Sequence, residues 1–431
     1  MAGTYNLEKL RKIVKEKFAG DFIKTLSIDI LAKGFTFVFL PLYTRVMSEE
    51  DFGLFTYLYL IITTGASIIK VGMDTVFSKL FFDVDSNNRS TLTFVTNSIW
   101  AFTFLLLFIL AWLTGYDKWV ISLLIEKNIN YSQIRFQFWF FIFLEMISTT
   151  LSVYYLVNER FRRFQLFNFI KIFITNFCTF SLLYFFTKDK VELRLTSECV
   201  LGLLIFMPLI IEVFKSVKIE IDKPLFIKAF KIGFPMMGSI LISTIYLFAD
   251  RYFIQKYSGL NSLAIYNFCM MLTLPISLFF TSFNTIWFPK FAKEKDLGIN
   301  FRKTTKITII LFGGFLVLSL FVWFILIILL KISVIKDTYY PSLSILPVIF
   351  MSRILDTLSN LYTNFVVILG KTTFNFLLVL FLSVFTFVLN YFLTPTYGTI
   401  AASIILFVVS FFRILALFLF SRHNAQGIKI K

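Results

Sequence analysis

Two charged residues stand four apart inside an apolar stretch near the start of the chain: Asp29 and Lys33. On a helix that spacing puts both on one face. A charge at mid-membrane depth costs about 2.5 to 3.5 kcal/mol on insertion scales, so it persists where it meets a wet cavity or a partner. By rise per residue, Lys33 lies roughly 15 Å from either end of its stretch, too deep to reach water easily. Its ammonium can hold an anion or pair with Asp29. Arg353 and Asp356 repeat the theme at i,i+3 in a later stretch, and Glu145 sits alone in the middle of another. Guanidinium is the preferred partner of phosphate oxygens, which makes Arg353 a second candidate anion contact. A carboxylate shielded from water can exchange protons near neutral pH. Asp29, Glu145 and Asp356 are therefore candidates for ion coupling or for pairing within a cavity. Lys24, Lys70, Asp74, Lys171 and Arg413 lie closer to the ends of their stretches, where long basic side chains can reach the surface. Lys70 and Asp74 are also spaced to pair. Asp250 and Arg251 close a stretch and read as a solvated cap.

Composition says what must surround these residues. Of 431 residues, 58% are hydrophobic and 16% charged, with Phe alone at 59. Mean hydropathy is +0.81. A water-soluble fold of this length carries roughly a quarter charged residues, so the surplus apolar surface must face lipid. Disorder is excluded by the same numbers. The net charge of +17 in so apolar a chain suits loops facing anionic lipid, and it does not point to nucleic acid. Cys178, Cys199 and Cys269 are scattered without metal or redox spacing, and His423 is the single histidine. Neither a phosphate loop nor a dinucleotide fingerprint is present, and no cofactor is expected.

Twelve stretches are long and apolar enough to cross a bilayer: 22–44, 52–74, 92–114, 135–157, 166–186, 196–214, 228–250, 262–286, 304–330, 340–369, 372–393 and 397–420. The segment 118–134 is too short and reads as interfacial. Residues 1–21, with Lys9, Arg11, Lys12, Lys15 and Lys17, lack a signal peptide's apolar core and form a basic amphipathic segment. The basic clusters, such as Arg160, Arg162 and Arg163, fall on the N-terminal side of the membrane, which predicts that both termini are cytoplasmic. The chain then divides into residues 22–214, a cytoplasmic linker 215–227, residues 228–421, and a tail 422–431. Each half opens with a basic amphipathic run, KLRKIVKEKF and KPLFIKAFKIGF. The expected fold is an all-α polytopic membrane protein of two pseudo-symmetric six-helix bundles around a central cavity. Gly233, Pro235 and Gly238 fall within six residues and make the seventh stretch the best hinge candidate.

Three segments carry a resemblance: KGFTFVFLPLYTRVMSEEDFGLFTYLYLI (33–61), KIGFPMMGSILISTIYLFADRYFIQKYSGLNSLAIYNFCMML (231–272) and PTYGTIAASIILFVVSF (395–411). In order and spacing the chain resembles O-antigen and polysaccharide flippases of the Wzx type. These belong to the multidrug/oligosaccharidyl-lipid/polysaccharide (MOP) exporter superfamily. The resemblance implies two six-helix lobes around a V-shaped cavity. It also implies transfer of a polyprenyl-pyrophosphate-linked oligosaccharide between leaflets of a bacterial cytoplasmic membrane. Implied partners are that substrate and membrane lipids, with a polysaccharide polymerase and a chain-length regulator as candidates. Arg45, Asp250 and Arg251 match landmarks that look architectural in the family. Lys33 and Arg353 rest on depth, not on the match.

The expected function is flipping of a lipid-linked oligosaccharide, with Lys33 and Arg353 toward the pyrophosphate, and no catalysis. The nearest alternative is a cation-coupled multidrug exporter of the same superfamily. A lipid II flippase normally carries two more helices. A membrane-embedded polysaccharide polymerase would need a long outer loop with catalytic side chains, and 115–134, about 20 residues, shows no acid/base constellation.

Overall fold

The computed structural model describes residues 34–85, 88–125, 130–220, 222–294 and 296–425. Asp29, Lys33 and Lys24 lie outside them. Thirteen α-helices follow in order, with no strand among the described residues. They are α1 (34–46), α2 (Glu49–Ile69), α3 (Met73–Leu80), α4 (Arg89–Thr114), α5 (Tyr116–Leu124), α6 (Tyr131–Val157) and α7 (Phe161–Phe185). Then come α8 (Lys190–Ser216), α9 (Lys223–Leu272), α10 (Leu274–Lys293), α11 (Leu297–Lys331), α12 (Ser342–Ile368) and α13 (Thr372–Ala425).

Ten helices among the described residues are long and apolar enough to cross a membrane. The twelve stretches read from sequence differ for two visible reasons. Stretch 22–44 is described only from residue 34, and stretches 372–393 and 397–420 both lie in α13. The segment read as interfacial holds the short helix α5, which exposes Trp119 and Leu123.

Local chemistry sets the starts. Ser48 caps α2: its hydroxyl accepts from the Asp51 amide at 3.0 Å and donates to the Asp51 carboxylate at 2.7 Å. Glu49, Glu50 and Asp51 then fill the first turn, where the helix dipole favours negative charge. Asp222 and Asp296 cap α9 and α11 in the same way.

Inside α9 and α13, one glycine each leaves the helical conformation: Gly259 (φ 81°, ψ 176°) and Gly398 (φ 56°, ψ −133°). Both φ values lie where a Cβ is penalised. The chain folds back on itself there. Arg251 meets Asn267 across Gly259, and Phe385 meets Phe412 across Gly398.

Helices α2 to α8 pack mainly among themselves, with α6 against α2, α7 and α8. Helix α12 packs on α10, α11 and α13, and α13 on α9. The principal seam between the two groups is α2 against α9. It closes most tightly at glycines. A Cβ on Gly53 would lie 2.2 Å from the Leu260 carbonyl oxygen, and one on Gly233 would lie 2.5 Å from that of Val71. A large apolar core runs through both groups, while Phe102, Leu113, Val317 and Phe381 on outward faces remain exposed, as lipid-facing residues must.

Candidate functional site

Charged side chains gather in separate clusters inside the spans, one in each group of helices. In the first group, α6 brings Glu145, α7 brings Lys171, and α8 brings Arg194 and Glu198 at i,i+4. Lys171 Nζ lies 4.0 Å from the Glu145 carboxylate and 5.2 Å from the centre of the Phe206 ring. Arg194 is buried, and its guanidinium carbon stands 3.9 Å over the Tyr43 ring and 3.7 Å over Phe55. Its terminal nitrogen donates to Met47 Sδ at 3.3 Å. Among the described residues Arg194 forms no ion pair, so two aromatic faces hold its charge. Tyr43 donates to Asn176 Oδ1 at 3.1 Å, which fixes one of those faces. Tyr59, one turn along α2 from Phe55, is 40% exposed and carries the cluster to an open surface.

The second cluster is built on α9, α12 and α13. Asp356 is shared: Arg413 pairs with Oδ1, and Arg353 stands 3.8 Å from Oδ2. Arg413 also donates to Asn360 at 3.1 Å, and Arg353 Nε reaches Thr273 at 3.4 Å. Asp250 and Arg251 adjoin this cluster. Asp250 is buried, accepts from Arg251 at 3.1 Å, and takes the Tyr266 hydroxyl. A cavity of about 50 Å³ is lined by Tyr246, Asp250, Arg251, Ser352, Arg353 and Asp356, among others. From Arg251, the chain of bonds crosses the seam. Nε donates to Asn267 at 3.1 Å, and the Asn267 amide donates to Thr56 Oγ1 on α2 at 2.9 Å.

Two further nodes are structural. Lys70 is buried, pairs with Asp74, and donates to Thr149 and Thr150 at 2.8 Å each. Outside the spans, Asp117 accepts from Arg135 (2.8 Å from both Nε and a terminal nitrogen), Trp139 (3.0 Å) and Tyr131 (3.1 Å). Burial pushes the Asp117 carboxyl up, but these hydrogen bonds outweigh it and hold the group below the usual carboxylate range.

The structure thus separates Glu145 from Arg353 and Asp356, joins Lys171 to the first, and joins Arg413, Asp250 and Arg251 to the others. It corrects two sequence expectations. Lys70, Lys171 and Arg413 do not reach out to a surface, because each turns to a partly buried acidic side chain within 4.0 Å: Asp74, Glu145 and Asp356. Asp250 and Arg251 are no solvated cap, because α9 runs on past them to Gly259. In α9, Gly233 is packed against α3, Gly238 faces open space, and Pro235 lies in continuous helix, while the chain folds back at Gly259. Arg45 is exposed. Sequence reading missed Arg194 and Glu198. Placing the sixth stretch at 196–214 left Arg194 in a loop, although the Arg-Glu pair at i,i+4 was the available signal.

Residues 19–295 match the sequence profile of a family described as polysaccharide biosynthesis protein. Among solved structures, the fold is similar to the lipid II flippase MurJ in an inward closed conformation. The TM-score is 0.71 at 15% identity, covering 93% of this chain and 87% of that one. It is also similar to an inward-facing multidrug resistance MATE family transporter of the MOP superfamily, with TM-score 0.64, 12% identity, and 93% and 95% coverage. A third is a MOP superfamily transporter from Pyrococcus furiosus described by the reverse polarity of its binding pocket. There the TM-score is 0.56 at 13% identity, covering 94% and 95%. At these identities the likeness is one of fold. No curated protein sequence matches the chain. The profile match spans well over half of the residues: the chain belongs to the polysaccharide biosynthesis protein family, and its fold is that of a multi-pass MOP superfamily transporter.

Proposed function

We propose that this protein moves a polyprenyl-pyrophosphate-linked oligosaccharide across a bacterial cytoplasmic membrane, for surface polysaccharide or O-antigen assembly, with both termini cytoplasmic. The observation that carries this reading is Arg194. It is a cation inside a span, seated on two aromatic faces and in no ion pair among the described residues, with Glu198 one turn along α8 and the open ring of Tyr59 in the same cluster. The physical problem matches. A sugar head stripped of water costs several kcal/mol for each unsatisfied polar group, so it must cross in a wet, polar passage while its apolar tail stays in lipid. Lys171 and Arg194 place positive potential along that passage, where a pyrophosphate is favoured. Tyr59 offers a flat face to a sugar ring. Lys33 is kept in the proposal on its sequence depth. Arg353 faces a cavity of about 50 Å³, room for a few waters and not for a pyrophosphate-linked head, so its role is a smaller one. The family match and the shared fold with a lipid II flippase both support a lipid-linked cargo. The two groups of helices, 22–214 and 228–421, would rock about the α2–α9 seam, with Asp29, Glu145 or Asp356 as coupling sites and Gly233, Pro235 and Gly238 as the flexing segment. A polysaccharide polymerase and a chain-length regulator would act downstream.

The test is complementation of a strain lacking its own O-antigen flippase. Wild type, Arg194→Gln, Lys171→Ala and Lys33→Ala are compared at matched membrane abundance. Wild type restores surface polysaccharide, and Arg194→Gln lowers it tenfold or more. Full restoration by all three variants would remove the cationic passage from the proposal.

A second reading, a cation-coupled multidrug exporter, is favoured by Glu145 and Glu198, since acidic groups beside an aromatic surface suit a lipophilic cation. Drug resistance in the same strain, without surface polysaccharide, would select it.

A further inference from the structure

The connection between α11 and α12, residues 332–341, reaches from the second group of helices to the first. Lys336 Nζ donates to the Met47 carbonyl at 2.8 Å and stands 3.8 Å from the Glu49 carboxylate. The Thr338 hydroxyl donates to the same carboxylate at 2.6 Å. Both partners lie where α1 turns into α2, 289 residues away in the chain. Met47 is held from a second side as well, since Arg194 donates to its sulfur at 3.3 Å. The connection therefore fastens to a residue that the first charged cluster also touches.

Two opposed effects meet here. Tyr339, on the short turn Asp337–Tyr339, is fully buried. Its ring centre lies 6.5 Å from that of Phe52 on α2 and 4.9 Å from that of Phe268 on α9, so it wedges into the seam between the two groups. The ring favours closure by leaving water. Its hydroxyl is buried with no hydrogen-bond partner among the described residues. An unpaired buried donor carries its desolvation cost until water reaches it, and that favours opening. The clasp itself is half wet: the side chains of Lys336 and Glu49 are 35% and 21% exposed. Bonds of this kind exchange with water at small net cost. Ring and clasp hold the connection shut, and one unmet hydroxyl opposes them.

We propose that residues 332–341 form a latch on the α2–α9 seam. Closed as here, it holds the two groups of helices together at the end where α2 begins. Release of Lys336 and Thr338 from Met47 and Glu49 lets that end part. The latch stands whether or not the cargo is a lipid-linked sugar.

The test uses the purified full chain in detergent, with Cys178, Cys199 and Cys269 replaced by alanine. Spin labels are attached at Lys188→Cys in the first group and Tyr397→Cys in the second, both exposed positions. Both lie at this end of the seam. Lys190 donates to the Val46 carbonyl, and Gly398 lies against Ser258, two residues before the Leu260 that Gly53 of α2 meets. Pulsed electron resonance measures the distance between the labels. Lys336→Ala with Thr338→Ala raises the separated fraction about threefold or more. Adding Tyr339→Phe, which keeps the ring and removes the unmet hydroxyl, brings that fraction down again by about half. Opposite shifts from the two changes separate a released latch from a damaged fold. An unchanged distance distribution in the clasp variant would overturn the proposal. So would a Tyr339→Phe addition that leaves the separated fraction level or raises it.

Discussion

Arg194 and Arg413 are both arginines inside membrane spans, yet the protein stabilises them by opposite means. Arg413 is matched to Asp356, a full negative charge. Arg194 lies between Tyr43 and Phe55, whose ring faces are electron-rich but uncharged. A carboxylate neutralises its partner and uses up its field. Ring quadrupoles lower the cost of burial by about 0.5 to 2 kcal/mol, and they leave the positive potential offset only by Glu198, one turn along α8 and not in an ion pair with it. The first cluster is thus arranged to act on something outside itself. The second is arranged mostly to hold its own helices together, with Arg353 and Arg413 sharing Asp356.

The comparison can be broken most sharply at Asp356. Asp356→Asn leaves Arg413 and Arg353 without a carboxylate, and a loss of about 3 to 5 kcal/mol of stability is expected. Denaturant unfolding in detergent measures it; a loss below 1 kcal/mol would mean that Asp356 is not the keystone of its cluster. At Arg194 the expectation reverses. Arg194→Gln costs about 2 kcal/mol of stability but abolishes most transport, and Arg194→Lys restores the charge without the flat stacking, so it rescues only in part. Parallel unfolding and complementation assays separate the two effects. At the seam, Asn267→Ala removes one buried bond to Thr56 and one to Arg251, a loss of about 1 kcal/mol. Spin labels on α2 and α9 should then report a looser contact at that end, and unchanged distances would make Asn267 a spectator.

The smallest effect is one of pH. Asp117 is a third carboxylate-held case, outside the spans. Its folded carboxyl titrates below its unfolded value, so its contribution is complete above the unfolded pKa of about 3.9 and is lost as pH falls through the folded one. Wild type therefore loses stability on acidification below about pH 4, and Asp117→Asn flattens that slope. An identical acid slope in both proteins would detach Asp117 from the effect.

What the sequence made legible were pairs within one helix. Lys70 with Asp74 and Arg353 with Asp356 follow from spacing alone, and so does the start of α2 at Ser48. Pairs between helices were not legible, because they depend on how each helix is rotated about its axis. In a chain this apolar, little amphipathic pattern remains to reveal that rotation. Arg413 with Asp356, Lys171 with Glu145, and the aromatic seat of Arg194 are all of this kind. Asp250 was misread for a simpler reason. Apolar runs end where polar residues begin, whereas α9 ends its first pass at a glycine two turns further on.

The folds at Gly259 and Gly398 leave those two connections no slack. Elsewhere successive passes are joined by several residues, such as 186–189 between α7 and α8, which can absorb a change of tilt. A one-residue corner cannot. The ends of the two arms of α9 must stay together, as must those of α13, whatever tilt either arm takes.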